Sequence, residues 1–158
     1  MMPSAADRLM LSDLVHRYAG YIDERQFDSA AKLFRATADL ILPDPPGRLD
    51  PVIRHHGPDA VRTALDALRA TIRTQHAIVG EIYTAGEQKG RALGSIAGVA
   101  HHWTSRKGQL VDVVWYLRYV DEYQRTTNGW LLARRSVFID AIESRQVRYV
   151  RSDDAHEQ

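Results

Sequence analysis

Two residues far apart in the chain, Asp23 and His76, combine the chemistry of a proton-transfer pair. His76 lies in a segment of small and apolar residues, 74–80, so we expect its ring to be at least half buried. Asp23 follows Ile22 at the end of a helical apolar stripe, where a carboxylate needs an N–H or cationic partner. An aspartate that accepts from one imidazole nitrogen orients the ring and stabilises the charge formed when the other nitrogen takes a proton. Together these residues predict a general base.

A second histidine, His102, is predicted to face the same interior. It is adjacent to His101 in a β-rich stretch, so the two side chains must point to opposite faces of a sheet. The residues that share the parity of His102 are mostly small, as the wall of a concave pocket requires: Ala92, Gly94, Ile96, Gly98 and Ala100. His101 shares its parity with Val99 and Trp103, which favours an outer face or a subunit contact.

Other interpretations of these residues remain open. His76 could be a structural strand histidine, because buried polar groups need partners whether or not they act. Asp23, His76 and His102 could form a metal site of two histidines and one carboxylate. No His-x-His or His-Glu-x-x-His spacing supports that site, so we expect no metal and no cofactor. The chain also has no cysteine and no Gly-x-Ser-x-Gly motif for nucleophilic catalysis.

The remaining histidines receive little functional weight. His16 lies off the apolar stripe of its helix and is expected to be solvated. His55 and His56 are expected on a loop beside the third helix. His156 lies in a polar tail, residues 152–158.

Composition limits the class of protein. The chain has 158 residues, 44% of them hydrophobic, which predicts one domain spanning 1–158 with its main body at about 7–141 and an extended tail at 142–158. The 21 Lys and Arg residues nearly balance 20 Asp and Glu residues, so a nucleic-acid partner is not expected. Asp7 and Arg8 interrupt any signal peptide, and no apolar run approaches the ~18 residues of a membrane span. A cytoplasmic protein without a membrane partner is therefore expected.

The order of elements predicts an α+β fold. Ser4 and Asp7 resemble a capping box before a helix with a stripe from Leu11 to Ile22. A second helix is predicted at about 28–34, a short strand at 38–42, a proline-rich loop at 43–51, and a third helix opened by Gly57-Pro58-Asp59. Four strands follow at about 74–84, 91–104, 110–123 and 130–141, separated by tight turns. This predicts a curved antiparallel sheet wrapped around three N-terminal helices, a cone.

Several ordered motifs resemble those of the SnoaL-like family, in the nuclear transport factor 2-like superfamily. They are Tyr21-Ile22-Asp23-Glu24-Arg25-Gln26-Phe27-Asp28, Arg73-Thr74-Gln75-His76, Tyr119-Val120-Asp121-Glu122-Tyr123 with Arg125, and Gly129-Trp130-Leu131-Leu132-Ala133. The resemblance covers about residues 7–141 and implies the α+β cone shared with ketosteroid isomerase and scytalone dehydratase. Within that superfamily, the chain is similar to scytalone dehydratase and to the hexachlorocyclohexane dehydrochlorinase.

The resemblance also implies roles for particular residues. Asp23 and His76 match the catalytic aspartate and histidine of both enzymes, and His102 matches a second pocket histidine of scytalone dehydratase. The chain differs where those enzymes contact substrate: Ile22 and Leu42 stand where the dehydratase has tyrosines, Tyr119 where it has an asparagine, and Tyr18 where the dehydrochlorinase has a lysine. The expected substrate-binding residues are Tyr18, Leu42, Ile96, Gly98, Trp115 and Tyr119.

These observations predict a cofactor-independent lyase or isomerase. His76 would take a proton from carbon, and His102 or Tyr119 would protonate a leaving oxygen or stabilise an enolate. An apolar pocket wall favours a hydrophobic ring compound, such as a polyketide, steroid or aromatic metabolite. The alternatives are a non-catalytic binding or assembly module and a dioxygenase small subunit. Trp103, Tyr116, Arg118 and Val120 share the face of His101, so a homo-oligomer, a dimer or trimer, is also expected.

Overall fold

The computed structural model describes residues 2–152. The expectation for His156 lies outside the described residues. The elements, in chain order, are α1 (Ala5–Asp23), α2 (Phe27–Ala31), β1 (Phe34–Asp44), β2 (Arg48–His56), α3 (Pro58–Asp66), β3 (Arg73–Ala85), β4 (Arg91–Arg106), β5 (Gln109–Thr126) and β6 (Gly129–Gln146). A short 3-10 turn at Ala67–Ala70 joins α3 to β3.

The predicted α+β class is confirmed, with one curved, unclosed sheet of six strands in the order β2-β1-β6-β5-β4-β3. All neighbours pair antiparallel except β1 and β6, which are parallel. The expectation of a wholly antiparallel sheet is therefore wrong at this pair. Tight turns predict only pairings between consecutive strands, whereas β1 reaches β6 across most of the chain.

The helices also differ from the prediction. Only α1 and α2 precede the sheet, because α3 follows the β1–β2 hairpin. The second helix ends at Ala31, and the chain is already extended at Phe34 as β1. The predicted capping box is present, with the Asp7 N–H donating to Ser4 Oγ at 3.1 Å.

The proline-rich segment predicted as a loop contains the strand β2. Pro51 lies inside this strand, which is possible because β2 is at the sheet edge, where a missing N–H costs no ladder hydrogen bond. His55 and His56 consequently lie on β2 rather than on a loop, and His56 Nδ1 donates to Asp39 at 2.7 Å. The last strand, predicted to end at 141, continues to Gln146.

The core lies between α1 and the inner face of the sheet, the face that packs on the helices. The α1 stripe of Leu11, Leu14, Val15, Tyr18 and Ile22 is buried, as the spacing predicts. On β4 every second residue from Ala92 to His102 is buried, which confirms the predicted parity of this strand. Within residues 2–152, the helices are too short or too polar to cross a membrane.

Candidate functional site

Asp23 is the last residue of α1 and lies beside the start of β3. A carboxylate at a helix C-terminus meets the negative end of the helix dipole, so the helix alone does not favour it there. The turn that follows is anchored by Arg25, which has a positive φ of 61° and donates to the carbonyls of Leu68 and Thr71, each at 3.0 Å. Tertiary contacts therefore hold Asp23 against β3.

Three hydrogen bonds engage the Asp23 carboxylate. Oδ1 accepts from His76 Nδ1 at 2.7 Å and from the Thr74 hydroxyl at 3.0 Å, while Oδ2 accepts from the His76 backbone N–H at 2.7 Å. Because a carboxylate can only accept, His76 Nδ1 carries the proton. The lone pair of the neutral ring is then on Nε2, which has no hydrogen-bond partner within residues 2–152. The side chain of His76 is 8% exposed and that of Asp23 is 22% exposed.

His102 lies next to this pair on β4, where it pairs with Thr74. The His76 and His102 rings meet edge to face, with their centroids 6.0 Å apart. His102 Nδ1 donates to the Val113 carbonyl at 2.9 Å. Burial lowers the pKa of His102 to about 4, with a smaller contribution from His76. His102 is thus neutral at physiological pH.

This state does not fit the expected role of His102 as a proton donor. Its only ring N–H is already donated to Val113, so Nε2 presents a lone pair. His102 can accept a hydrogen bond from a ligand hydroxyl or a water, but it has no proton to give to a leaving oxygen. Of the two donors suggested by the sequence, only Tyr119 has a suitable protonation state, because burial raises its pKa.

The residues expected to bind substrate lie at different depths. Ile96 and Gly98 are buried on the inner face of β4, and a Cβ at Gly98 would come within 3.1 Å of Leu117. Tyr18 and Tyr119 are deep in the core, with their rings edge to face at 6.0 Å. Trp115 and Leu42 are only partly buried, and the Trp115 ring lies 4.6 Å from that of His102. Trp115 is thus the predicted contact residue that lies both beside His102 and partly open to solvent.

Two open pockets lie elsewhere in the molecule. One of about 1000 Å³ is lined by the N-terminal segment and by the turn between β3 and β4, and one of about 470 Å³ lies between α1 and the β5–β6 turn. Asp23, His76 and His102 line neither. The apolar hollow expected beside His76 therefore remains a prediction, supported by the partial exposure of Val113 and Trp115 on the inner face. Within the described chain, no three His, Asp or Glu side chains are grouped to hold a metal ion.

A buried ion pair lies next to this site, and neither of its residues is among the site residues predicted from the sequence. Arg135 on β6 and Asp121 on β5 are fully buried and joined by two hydrogen bonds, of 2.8 and 2.6 Å. The Arg135 guanidinium lies 4.0 Å from the ring centroid of Tyr119 and 4.3 Å from that of Tyr18. Asp121 shares its strand parity with Tyr119, so the alternation of β5 could have placed it inside.

The outer-face residues make contacts within the chain. His101 Nδ1 donates to Asp112 at 2.7 Å, and its ring stacks on Trp103 at 5.5 Å. Arg118 binds Asp140, and the Tyr116 hydroxyl donates to Glu143 at 2.7 Å. Val120 is left 47% exposed. His16, as expected, is exposed on α1.

Comparisons with known proteins find solved structures of the same fold. The chain is similar to a candidate scytalone dehydratase from Novosphingobium aromaticivorans, with 16% identity, a TM-score of 0.75, and coverage of 94% of this chain and 93% of that one. It is similar to the hexachlorocyclohexane dehydrochlorinase LinA type 2, with 14% identity, a TM-score of 0.75, and coverage of 94% and 95%. It is also similar to the Kfla4162 protein of Kribbella flavida, with 26% identity, a TM-score of 0.72, and coverage of 87% and 93%.

No curated protein sequence matches the chain. The likeness to the two named enzymes, both far below 25% identity, shows the fold. The SnoaL-like domain family matches residues 3–136, which is most of the chain and includes Asp23, His76, His102 and Arg135. The predicted resemblance is confirmed, and this chain belongs to the SnoaL-like family.

Proposed function

We propose that the protein is a cofactor-independent lyase or isomerase in which His76 is the general base and Asp23 orients it. The hydrogen bond between Asp23 Oδ1 and His76 Nδ1, with Nε2 left unengaged, carries this proposal. It fixes the ring tautomer and stabilises the imidazolium that forms when Nε2 takes a proton. The similarity to a candidate scytalone dehydratase and to a dehydrochlorinase supports elimination as the reaction class.

The chemical step starts at a carbon made acidic by a neighbouring carbonyl. His76 Nε2 takes the proton, the C–H electron pair forms a C=C bond, and the carbonyl electrons move to oxygen to give an enolate. If the carbonyl re-forms while a β-hydroxyl leaves with a proton, the net result is loss of water. If the proton returns to a different carbon, the result is isomerisation.

Tyr119 is the proposed donor to the substrate oxygen in this reaction. Its hydroxyl makes no hydrogen bond to another residue in the described part of the chain, and Asp23 is near enough for its carboxylate to contribute to the raised pKa of Tyr119. A neutral phenol can donate to a developing enolate oxygen or protonate a leaving one. We assign this donor role to Tyr119 rather than to His102, which has no free N–H.

The surroundings favour a hydrophobic ring compound as substrate. Ile96 and Gly98 are buried on the inner face and Trp115 is partly buried beside His102, and none of these three residues carries a charge. A flat apolar ring could lie against Trp115 while an oxygen reaches toward Tyr119. This class includes polyketide-like, steroid-like and aromatic metabolites.

Deuterium exchange tests the proposal without knowledge of the natural substrate. In D₂O, the wild-type protein should catalyse exchange of the α-protons of β-tetralone, a ring-fused cyclic ketone. His76→Ala should lower the rate by about 10²- to 10⁴-fold, the range of a positioned general base. His101→Ala, which changes the aspartate-bound histidine of the outer face, is the matched control and should stay within about twofold. Exchange in wild type no faster than in buffer would refute the proposal.

A non-catalytic binding or assembly module is the second candidate, and one observation favours it. The three hydrogen bonds to Asp23 also join the end of α1 to β3, so the pair could be purely structural. In that case His76→Ala would lower the melting temperature strongly, β-tetralone would not raise it, and no exchange would be seen. A dioxygenase small subunit would further require a larger partner chain for a stable, well-behaved preparation.

Self-association and cytoplasmic location stay predictions. The exposed Val120 and the stacked His101 and Trp103 place apolar and aromatic surface on the outer face, as at many subunit contacts. We expect a dimer or trimer by sedimentation of the purified chain. A monomer at all concentrations would contradict this expectation.

A further inference from the structure

The most unusual polar group outside the proposed mechanism is the fully buried pair of Arg135 and Asp121. Removing two charges from water carries a large desolvation penalty that their mutual attraction must first offset, so such a pair is weak evidence for a role in stability alone. The relative orientation of the two side chains is nevertheless fixed, because the Arg135 Nε and Nη2 atoms both donate to the Asp121 carboxylate. The burial of this ion pair therefore needs an explanation other than stability.

The surroundings of the third guanidinium nitrogen of Arg135, Nη1, indicate a role other than stability. Nη1 is buried and has no hydrogen-bond partner within residues 2–152. The guanidinium instead contacts the rings of Tyr18 and Tyr119, at 4.3 and 4.0 Å from their centroids. A desolvated cation over an aromatic face is attracted to the negative face of the ring. Arg135 thus holds the Tyr119 ring, while Asp121 holds Arg135.

A second layer of contacts fixes Asp121. The Tyr123 hydroxyl donates to Asp121 Oδ2 at 2.5 Å. Tyr123 has room for this only because residue 94 is glycine, since a Cβ there would lie 2.8 Å from the Tyr123 hydroxyl oxygen. The contacts run from Gly94 through Tyr123, Asp121 and Arg135 to Tyr119. They end at the ring of Tyr119, the proposed donor to the substrate oxygen.

We propose that Arg135 is a positioning residue that acts through Tyr119, holding its ring so that the hydroxyl meets the substrate oxygen and placing positive charge beside the developing enolate. This inference rests on the proposed function, in which Tyr119 donates to that oxygen. Arg135 itself touches no substrate, because all of its surface is buried. The positive charge over the ring opposes the effect of burial on the pKa of Tyr119, which makes the hydroxyl a better donor.

A double-mutant cycle tests this positioning role. Arg135→Gln and Asp121→Asn are introduced together, so that no unpaired charge is left buried. For β-tetralone exchange, we expect this double change to lower kcat by at least about tenfold while KM changes less than about twofold. In a Tyr119→Phe background the same change should cost less than about twofold, because the residue through which Arg135 acts is gone. Equal losses in both backgrounds would overturn the proposal.

The matched control is the exposed pair on the outer face, Arg118 and Asp140, which carries the same two residue types. Arg118→Gln with Asp140→Asn should leave kcat and KM unchanged. If the buried double variant does not fold, Arg135→Lys replaces it in the cycle, because lysine keeps the charge but loses the two-point contact and the planar stack. The same non-additivity with Tyr119→Phe is then expected, and additive losses would again refute the role.

A spectroscopic measurement separates this inference from the proposed function. The ¹³Cζ resonance of Tyr119 reports the charge and packing around its ring in the absence of any substrate. We expect it to shift in the buried double variant and not in the Arg118 and Asp140 control. If the wild type shows no exchange, the proposed function fails while a shifted resonance still supports the contact. An unchanged resonance would overturn the positioning role whatever the activity.

Discussion

Two aspartate–histidine pairs lie on opposite faces of the same sheet. On the inner face Asp23 binds His76, and on the outer face Asp112 binds His101, each through Nδ1 at 2.7 Å. A third pair, Asp39 and His56, has the same distance. The hydrogen bond alone therefore does not distinguish a candidate catalytic pair from a structural one.

The surroundings of the two aspartates do differ. Both carboxylate oxygens of Asp23 accept hydrogen bonds, and the His76 side chain is nearly buried beside the ring of His102. The Asp112 side chain is more buried, at 8% exposed against 22% for Asp23, but its Oδ1 has no hydrogen-bond partner within residues 2–152. His101 stacks on Trp103 instead of facing the inner side of the sheet. The hydrogen bonds to both carboxylate oxygens of Asp23 fix the orientation of the His76 imidazole, whereas Asp112 is only partly satisfied.

The largest expected difference between the two pairs is in catalysis. Asp23→Asn should lower β-tetralone exchange by about 10²- to 10⁴-fold, because the amide no longer specifies the tautomer or stabilises the imidazolium. Asp112→Asn should change the rate by less than about twofold. Initial rates of deuterium incorporation measure both, with melting curves to show that each variant is folded. Similar losses in the two variants would remove the distinction between the pairs.

The next difference concerns the neighbouring histidines His102 and His101. An imidazole has a pKa near 6.5 in an unfolded chain, whereas burial lowers that of His102 to about 4. Between these values the unfolded chain binds more protons, so the free energy of unfolding should fall as pH falls, by about 3 kcal/mol in total. Urea unfolding across this range should show the loss in wild type and in His101→Gln. His102→Gln should lack that part of the slope, and an unchanged slope would show that His102 is not held neutral.

The smallest expected effect is in the support of Asp23. Thr74→Val removes the hydroxyl that donates to Asp23 Oδ1 and should cost about 1 kcal/mol of unfolding free energy. Thr104→Val is the control, since the Thr104 hydroxyl makes no hydrogen bond in the part of the chain that the structure describes. Chemical denaturation of the two variants measures the difference. Equal stabilities would mean that Thr74 does not support the carboxylate.

Much of the fold could be predicted from periodicity. The α1 stripe and the alternation of β4 follow directly from which residues must leave water, and both are confirmed. The β2 strand was missed because its prolines indicate a loop, and only its place at the sheet edge makes them tolerable. The parallel pairing of β1 with β6 has no local signal, because it joins segments separated by most of the chain.

Only some residues of the candidate site could likewise be predicted from the sequence. Asp23 and His76 could be identified from the sequence because each polar side chain lies beside apolar residues, where it needs a hydrogen-bond partner. The buried Arg135 could not, since an arginine on a long strand is ordinarily on the solvent side, and its burial depends on Asp121 of the neighbouring strand. The tautomer of His102 could not be predicted from the sequence either, because the Val113 carbonyl that fixes it is a backbone group.

By itself the sequence determined the class of fold, the inner and outer parity of the strands and the two residues most suited to proton transfer. These depend on local hydrophobic spacing and on the few residue types that can carry a proton near neutral pH. Tertiary structure decided which aspartate meets which histidine, which nitrogen keeps the proton, and that Arg135 lies over Tyr119. Those outcomes depend on distances of a few ångströms between segments far apart in the chain, and a hydrogen bond or a cation–ring contact exists only at such distances.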